Sequence, residues 1–300
     1  MENVTDYVFR EIIAKVAKPD VFFTEFTSTD GLFSKGHNVV IRKLEYSPNQ
    51  HPIVAQIWGK EPESFYKASQ LVKDLKFDGL DINMGCPDRG IVKNGAGAGL
   101  VGNYSLTKEI IDAVKKGSGE LAVSVKTRLG QENIITDKWI KFLLEQGIDA
   151  LTIHGRTARQ MSKGEASWEA VGRAVKIKNK VSPKTILIGN GDIGSYEQAK
   201  DKHDTYGVDG IMIGRGVFSN PWIFEKISGG KTRSREQYVD ILSSHLKLQE
   251  KHWGQEKHFD VMKKFFKMYI KDFAGANELR QKLMETTNSQ QVKQILSKQV

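Results

Sequence analysis

The feature that most restricts this chain is a repeated order of segments: a short apolar run, then an amphipathic stretch, again and again up to about residue 225. The runs are Val21–Phe26, Ile53–Gly59, Gly79–Gly85, Ala122–Gly130, Ala150–Arg156, Thr185–Ile193 and Gly210–Phe218. Each is rich in Val, Ile, Leu or Phe and lacks the strict alternation of a half-exposed strand. Each is therefore expected to be a strand buried on both faces. Helical patterns fall between them, as in Ser64–Leu75, Ser105–Lys116, Asp137–Gln146, Trp168–Lys176 and Tyr196–His203. Strand and helix in alternation, joined by right-handed crossovers, require a parallel sheet.

The polar residues of these runs decide between an open sheet and a barrel. They fall at the C-terminal ends: Glu25, Gln56, Asn83, Lys126 and Arg128, His154 and Arg156, Asn190 and Asp192, and Arg215. A barrel assembles its site from all strand C-termini, whereas an open doubly wound sheet uses only those at its switch point. The expected fold class is therefore α/β, a (β/α)8 TIM-type barrel over residues 1–230. Seven runs are one short of eight, and a helical pattern, Tyr7–Val16, begins almost at the start behind Thr5 or Asp6 as cap. Strand one is expected to be missing or truncated.

After Pro221 the pattern becomes purely helical. Residues 235–252, 257–274 and 277–298 read as amphipathic helices, giving an expected C-terminal all-α helical bundle over 231–300. In the second, Met262, Phe265, Phe266, Tyr269, Ile270 and Phe273 share one face, with Lys263, Lys264, Lys267 and Lys271 roughly opposite. Of the formal charge of +9, residues 231–300 carry +6. A basic tail points either to a polyanion such as nucleic acid or to a solvated lysine-rich surface. The 39% apolar and 27% charged composition is that of a globular protein. No apolar run is long enough to span a membrane. The single cysteine excludes an internal disulfide and, with no secretory signal, fits a cytoplasmic protein. No Cys/His cluster has metal-ligand spacing, so no metal is expected.

Four constellations carry chemistry. Asn190-Gly191-Asp192 and Gly214-Arg215-Gly216 close the last two runs, where barrels commonly bind phosphate on glycine-rich turns. Gly189–Gly194 also matches the dinucleotide fingerprint G-x-G-x-x-G, but the next run ends in Arg215 where that reading needs an acidic residue. Cys86 lies just past the run Gly79–Gly85, ahead of a loop crowded with glycines, and could be a nucleophile or a proton donor. Lys126 and Arg128 alternate along one run and point the same way, which calls for an anionic or electron-rich partner. His154 could bind a carbonyl or a phosphate.

The strings DINMGCP (Asp81–Pro87), VKTRLG (Val125–Gly130), HGRT (His154–Thr157), NGD and GRG occur in this order, and together the chain resembles the tRNA-dihydrouridine synthase family. The resemblance runs from Met1 to at least Pro221, with a helical tail of similar size. It implies FMN across the strand C-termini, its phosphate on Asn190, Gly191, Asp192, Gly214 and Arg215. It further implies Met1, Gln56, Lys126 and His154 around the flavin, with Met1 in the segment that comes just after the family's first strand. NADPH would be the reductant, hydride would go to C6 of a uridine in tRNA, and Cys86 would protonate C5. Asn83, Arg128 and Arg156 would hold the flipped base, and Lys263, Lys264 and Lys267 would grip the tRNA. The protein would act as a monomer. The family usually carries an aromatic residue where this chain has Ser162. Two other readings stand beside this one: an FMN-barrel reductase of a small molecule such as a dihydropyrimidine or an enoate, and a non-catalytic RNA-binding barrel.

Overall fold

The computed structural model describes residues 1–226 and 233–298. Eight strands form one sheet: β1 (Phe22–Phe23), β2 (Thr27–Ser28), β3 (Ile53–Trp58), β4 (Gly79–Met84), β5 (Ala122–Arg128), β6 (Ala150–His154), β7 (Ile186–Asn190) and β8 (Gly210–Met212). All pairings are parallel, in the order β1-β3-β4-β5-β6-β7-β8, with β2 also on β3. The sheet curls with helices on its outside. Among the described residues no pairing joins β8 to β1, and no strand occupies the place expected for strand one.

The run Val21–Phe26 is divided rather than continuous. Its start pairs with β3 as β1. Thr24 then carries the contact onward: its N–H donates to the Val54 carbonyl at 3.0 Å and its Oγ1 accepts from the Gln56 N–H at 3.0 Å. The other runs also end earlier as strands than their apolar lengths imply, because Gly85, Gly130 and Arg156 lie in loops.

A repeated device sets the register. An aspartate directly precedes each of β4, β6 and β8. Asp78, Asp149 and Asp209 accept the backbone N–H of Ile53, Val123 and Leu187 on the preceding strand at 2.6, 2.8 and 2.8 Å. Their own N–H groups donate back to the carbonyls of the same three residues. Each reciprocal pair fixes how far one strand slides along the next, and so aligns the opposite, C-terminal ends into a rim.

The C-terminal helices are Arg235–Trp253, Lys263–Tyr269, Ala276–Met284 and Ser289–Leu296. The first starts with a capping box between Ser234 and Gln237. The expected helix over 257–274 is shorter than its pattern: a 3-10 turn, Phe259–Met262, leads into seven helical residues. Its apolar face behaves as read, since Met262, Phe265, Phe266, Tyr269 and Ile270 are buried. These helices dock on the barrel helix Tyr7–Val16. Phe265 stacks on Phe9, His252 stacks on Tyr7, and Trp253 Nε1 donates to Asp6 at 3.0 Å. The domain boundary expected at 230/231 lies outside the described residues.

Candidate active site

A cavity of about 950 Å³ runs along the unpaired seam between β1 and β8, from Asp20, Ile186 and Asp209 at the strand N-termini to the C-terminal rim. Gln56, Asn83, Cys86, Lys126, Arg128, His154 and Ser162 line it, as do the turns Asn190–Asp192 and Gly214–Gly216, and Met1. The structure thus brings together the expected barrel residues from β3 to β8, with one exception. Arg156 is not in the lining. It is buried, donating to the Gly164 carbonyl and at 2.5 Å to Asp192.

The last two turns form an anion cradle. Gly191 (φ 134°) and Asp192 (φ 54°) lie in the left-handed half of backbone space. A Cβ on Gly191 would fall 2.7 Å from that of Ala166, so the site admits only glycine. The Asp192 carboxylate would repel a phosphate, but it is held to one side by Arg156 and by the Ala166 N–H at 2.9 Å. What remains for an anion is backbone: the N–H groups of Gly191, Asp192 and Arg215 make no hydrogen bond to a described residue. The Arg215 side chain is exposed beside them, 3.7 Å from Asp192.

The floor of the cavity is cationic. Lys126 is recessed there, partly buried, with one hydrogen bond, to Asn190 Oδ1 at 3.3 Å. Desolvation, and then the neighbouring Arg128, bring its pKa down to about 8. A recessed ammonium with so little compensation calls for an electron-rich ligand. His154 is held neutral: burial, then Lys126, Arg128, Arg156 and Arg215, lower its pKa to about 2. Arg156 donates to His154 Nε2 at 3.2 Å, and since a guanidinium can only donate, the ring proton is on Nδ1.

Cys86 sits on a shaped turn. Asn83 Oδ1 accepts the N–H groups of Gly85 and Cys86 at 3.0 and 2.9 Å. The Cys86 carbonyl accepts the Ala98 N–H, and a Cβ on Gly97 (φ 56°) would fall 2.9 Å from that carbonyl. Burial pushes the Cys86 thiol pKa above its usual value, so the group keeps its proton at neutral pH. Arg128 is a latch: it donates to the carbonyls of Gly85, Thr157 and Met161 at 2.6, 2.9 and 2.8 Å, tying the cysteine turn to the loop after β6.

The lysines of the tail divide. Lys263 pairs with Asp260 at 2.8 Å, Lys264 donates to the Asn3 carbonyl, and Lys271 donates to the Ser219 carbonyl. Lys267 is exposed and makes no bond to a described residue.

A curled sheet of parallel strands with polar residues at its C-terminal rim is the architecture of (β/α)8-barrel enzymes. Among solved structures the chain is similar to morphinone reductase, with a TM-score of 0.54 and 12% identity over 75% of this chain and 81% of that one. It is also similar to the old yellow enzyme homologue from Zymomonas mobilis, with a TM-score of 0.51 and 17% identity over 80% of this chain and 91% of that one. At such identities the likeness is one of fold. The dihydrouridine synthase family model matches residues 1–300, and the chain belongs to that family. It is 42% identical to a probable tRNA-dihydrouridine synthase of Staphylococcus epidermidis over 99% of this chain and 90% of that protein. The same identity relates it to probable tRNA-dihydrouridine synthase 2 of Bacillus subtilis, over 99% and 91%. No described helix is long and apolar enough to cross a membrane.

Proposed function

We propose that this protein reduces uridine in tRNA to 5,6-dihydrouridine, with FMN as its cofactor and NADPH as the reductant. The observation that carries the reading is one juxtaposition: a thiol that retains its proton shares a cavity with an undercompensated ammonium and an anion cradle. The residues fit FMN by their chemistry. The free N–H groups of Gly191, Asp192 and Arg215, with the Arg215 side chain, suit its phosphate, and Lys126 suits the electron-rich edge of a flavin. Bound FMN would supply a hydride to C6 of the uracil.

The remaining work belongs to the protein. Cys86 gives its proton to C5 and is left as a thiolate, which solvent reprotonates. Neutral His154, with Nε2 facing Arg156, can donate only from Nδ1. The Arg128 latch holds the cysteine turn while the base is in place. A base stacked in an RNA helix cannot reach such a mouth, so the uridine must be turned out of its stack.

The test is Cys86→Ala. Turnover on unmodified tRNA is expected to fall by a factor on the order of 10²–10⁴, the range for loss of a general acid, with flavin content and tRNA affinity retained. Unchanged turnover would remove Cys86 from the chemistry.

A further inference from the structure

Asp81 lies in the middle of β4, is fully buried, and does not line the cavity. Nothing in the proposed reaction uses it. Its carboxylate accepts from Ser124 Oγ at 2.6 Å and from Gln56 Nε2 at 2.7 Å. Gln56 Oε1 in turn accepts from Asn83 Nδ2 at 3.0 Å, and Asn83 Oδ1 accepts from the Gly85 and Cys86 N–H groups.

This chain of bonds has a direction, and both ends fix it. A backbone N–H can only donate, so Asn83 must present its oxygen to the cysteine turn. An ionised carboxylate can only accept, so Gln56 must present its nitrogen to Asp81. The two amides between them could each turn over, but only one pair of orientations satisfies every contact. Burial raises Asp81 to about 6, which still leaves it ionised at neutral pH, with Lys126 the charged group facing it.

We infer that Asp81 is a positioning residue: it anchors the buried end of a hydrogen-bond chain through Gln56 and Asn83 that can serve a carboxylate at one end only, and that chain fixes the backbone of Cys86 at the cavity mouth. Its value to catalysis rests on the reading of Cys86 as proton donor; its effect on the cysteine turn does not.

The direction can be reversed by moving the carboxylate. In Asn83→Asp alone, the introduced carboxylate needs the Gln56 nitrogen that Asp81 also needs, and one contact must be repulsive. In Asp81→Asn/Asn83→Asp the conflict is gone. The new amide at position 81 donates to Gln56 Oε1, and Gln56 Nε2 donates to the new carboxylate at position 83. That carboxylate still accepts both backbone N–H groups of the cysteine turn. In Asp81→Asn alone the original direction survives, since the amide there can still offer its oxygen to Gln56.

Because Cys86 is the only cysteine, its rate of alkylation by iodoacetamide on the intact protein reports on this turn without reference to flavin or tRNA. Asn83→Asp is expected to change that rate by roughly tenfold, the scale of one frustrated bond to a charged group. The double variant is expected to return to within about threefold of the Asp81→Asn rate, a residue of well under 1 kcal/mol. The new charge beside the thiol is present in both the Asn83→Asp and the double variant, so the difference between them isolates the chain. If Asn83→Asp is too unstable to assay, recovery of its melting temperature in the double variant reads the same coupling. Equal alkylation rates and equal melting temperatures in those two variants would overturn the inference. So would Asp81→Asn alone disturbing the thiol as much as Asn83→Asp does. Should the coupling appear while none of these proteins, wild type included, reduces tRNA, the positioning role stands and the proposed function fails.

Discussion

The same residue type serves two purposes in two regions of this molecule. At the barrel mouth Lys126 is recessed, makes one long hydrogen bond, and has its pKa brought down to about 8. On the helix Lys263–Tyr269, Lys264 is exposed and tied to the Asn3 carbonyl of the barrel, and Lys263 is paired with Asp260. A lysine desolvated without adequate partners is costly as it stands and becomes stable when an electron-rich ligand arrives. A lysine that already reaches a carbonyl of the neighbouring layer holds that layer in place. Charge in the sequence does not separate these cases; desolvation and partners do.

The largest expected effect comes from the barrel side of the comparison. Lys126→Met removes a desolvated charge and nearly keeps the length of the side chain. Flavin affinity is expected to fall by about 10- to 100-fold, the range for losing a hydrogen bond to a charged group. In the flavin-free protein the relief of Lys126 desolvation is opposed by loss of the cation facing the buried Asp81, so the melting temperature is expected to change little. Titration with FMN followed by fluorescence quenching, alongside thermal melts, checks both. Lower stability together with unchanged affinity would mean that Lys126 is a structural cation.

The pH dependence sharpens the same point. In the free protein Lys126 loses its proton near pH 8, well below an ordinary lysine. An anionic or electron-rich ligand favours the charged form and raises that pKa, so binding takes up a proton above about pH 8. FMN affinity is therefore expected to hold below about pH 7.5 and to weaken by roughly tenfold between about pH 7 and pH 9, as one group titrates. Calorimetry in two buffers of different ionisation enthalpy measures the proton uptake. A flat profile over this range would place the flavin away from Lys126. His154, with a pKa of about 2, should leave no inflection near neutral pH.

How much of this is legible in the sequence depends on range. The strands from β3 to β8 can be read because their burial imposes composition locally, and the rim can be read because their polar residues cluster at one end. The division of Val21–Phe26 cannot: between β1 and β2, Thr24 holds β3 by one backbone and one side-chain bond, to Val54 and Gln56, and those partners lie far along the chain. The Asp-Gly and Asp-Ala pairs at 78–79, 149–150 and 209–210 are a register signal in plain view, but only the reciprocal bonds reveal what they do. The family resemblance implies Arg128 and Arg156 as substrate ligands. Arg128 lines the cavity while donating to three carbonyls, and Arg156 is buried against Asp192 outside the lining, a matter of loop geometry that no period encodes. Asp81 stands as the one charge in an apolar strand, a signal that only burial and its bonded partners turn into a role.

The smallest expected effects lie in the tail, where the comparison is easiest to break. A helical stripe of lysines suggests that all of them grip RNA, but three of the four at 263, 264, 267 and 271 reach partners within the protein. Lys267→Glu is expected to weaken tRNA binding a few-fold and to reduce the slope of log affinity against log salt by about 0.7–0.9, the share of one phosphate contact. Lys264→Met should instead leave that slope unchanged and lower stability by about 1 kcal/mol or less, since its bond to Asn3 is exposed. Filter binding across salt concentrations, with denaturant melts of both variants, separates the two roles. If Lys264→Met flattened the salt slope as Lys267→Glu does, Lys264 would exchange its carbonyl for a phosphate when tRNA arrives, and the tie seen at Asn3 would be a resting position of an RNA ligand.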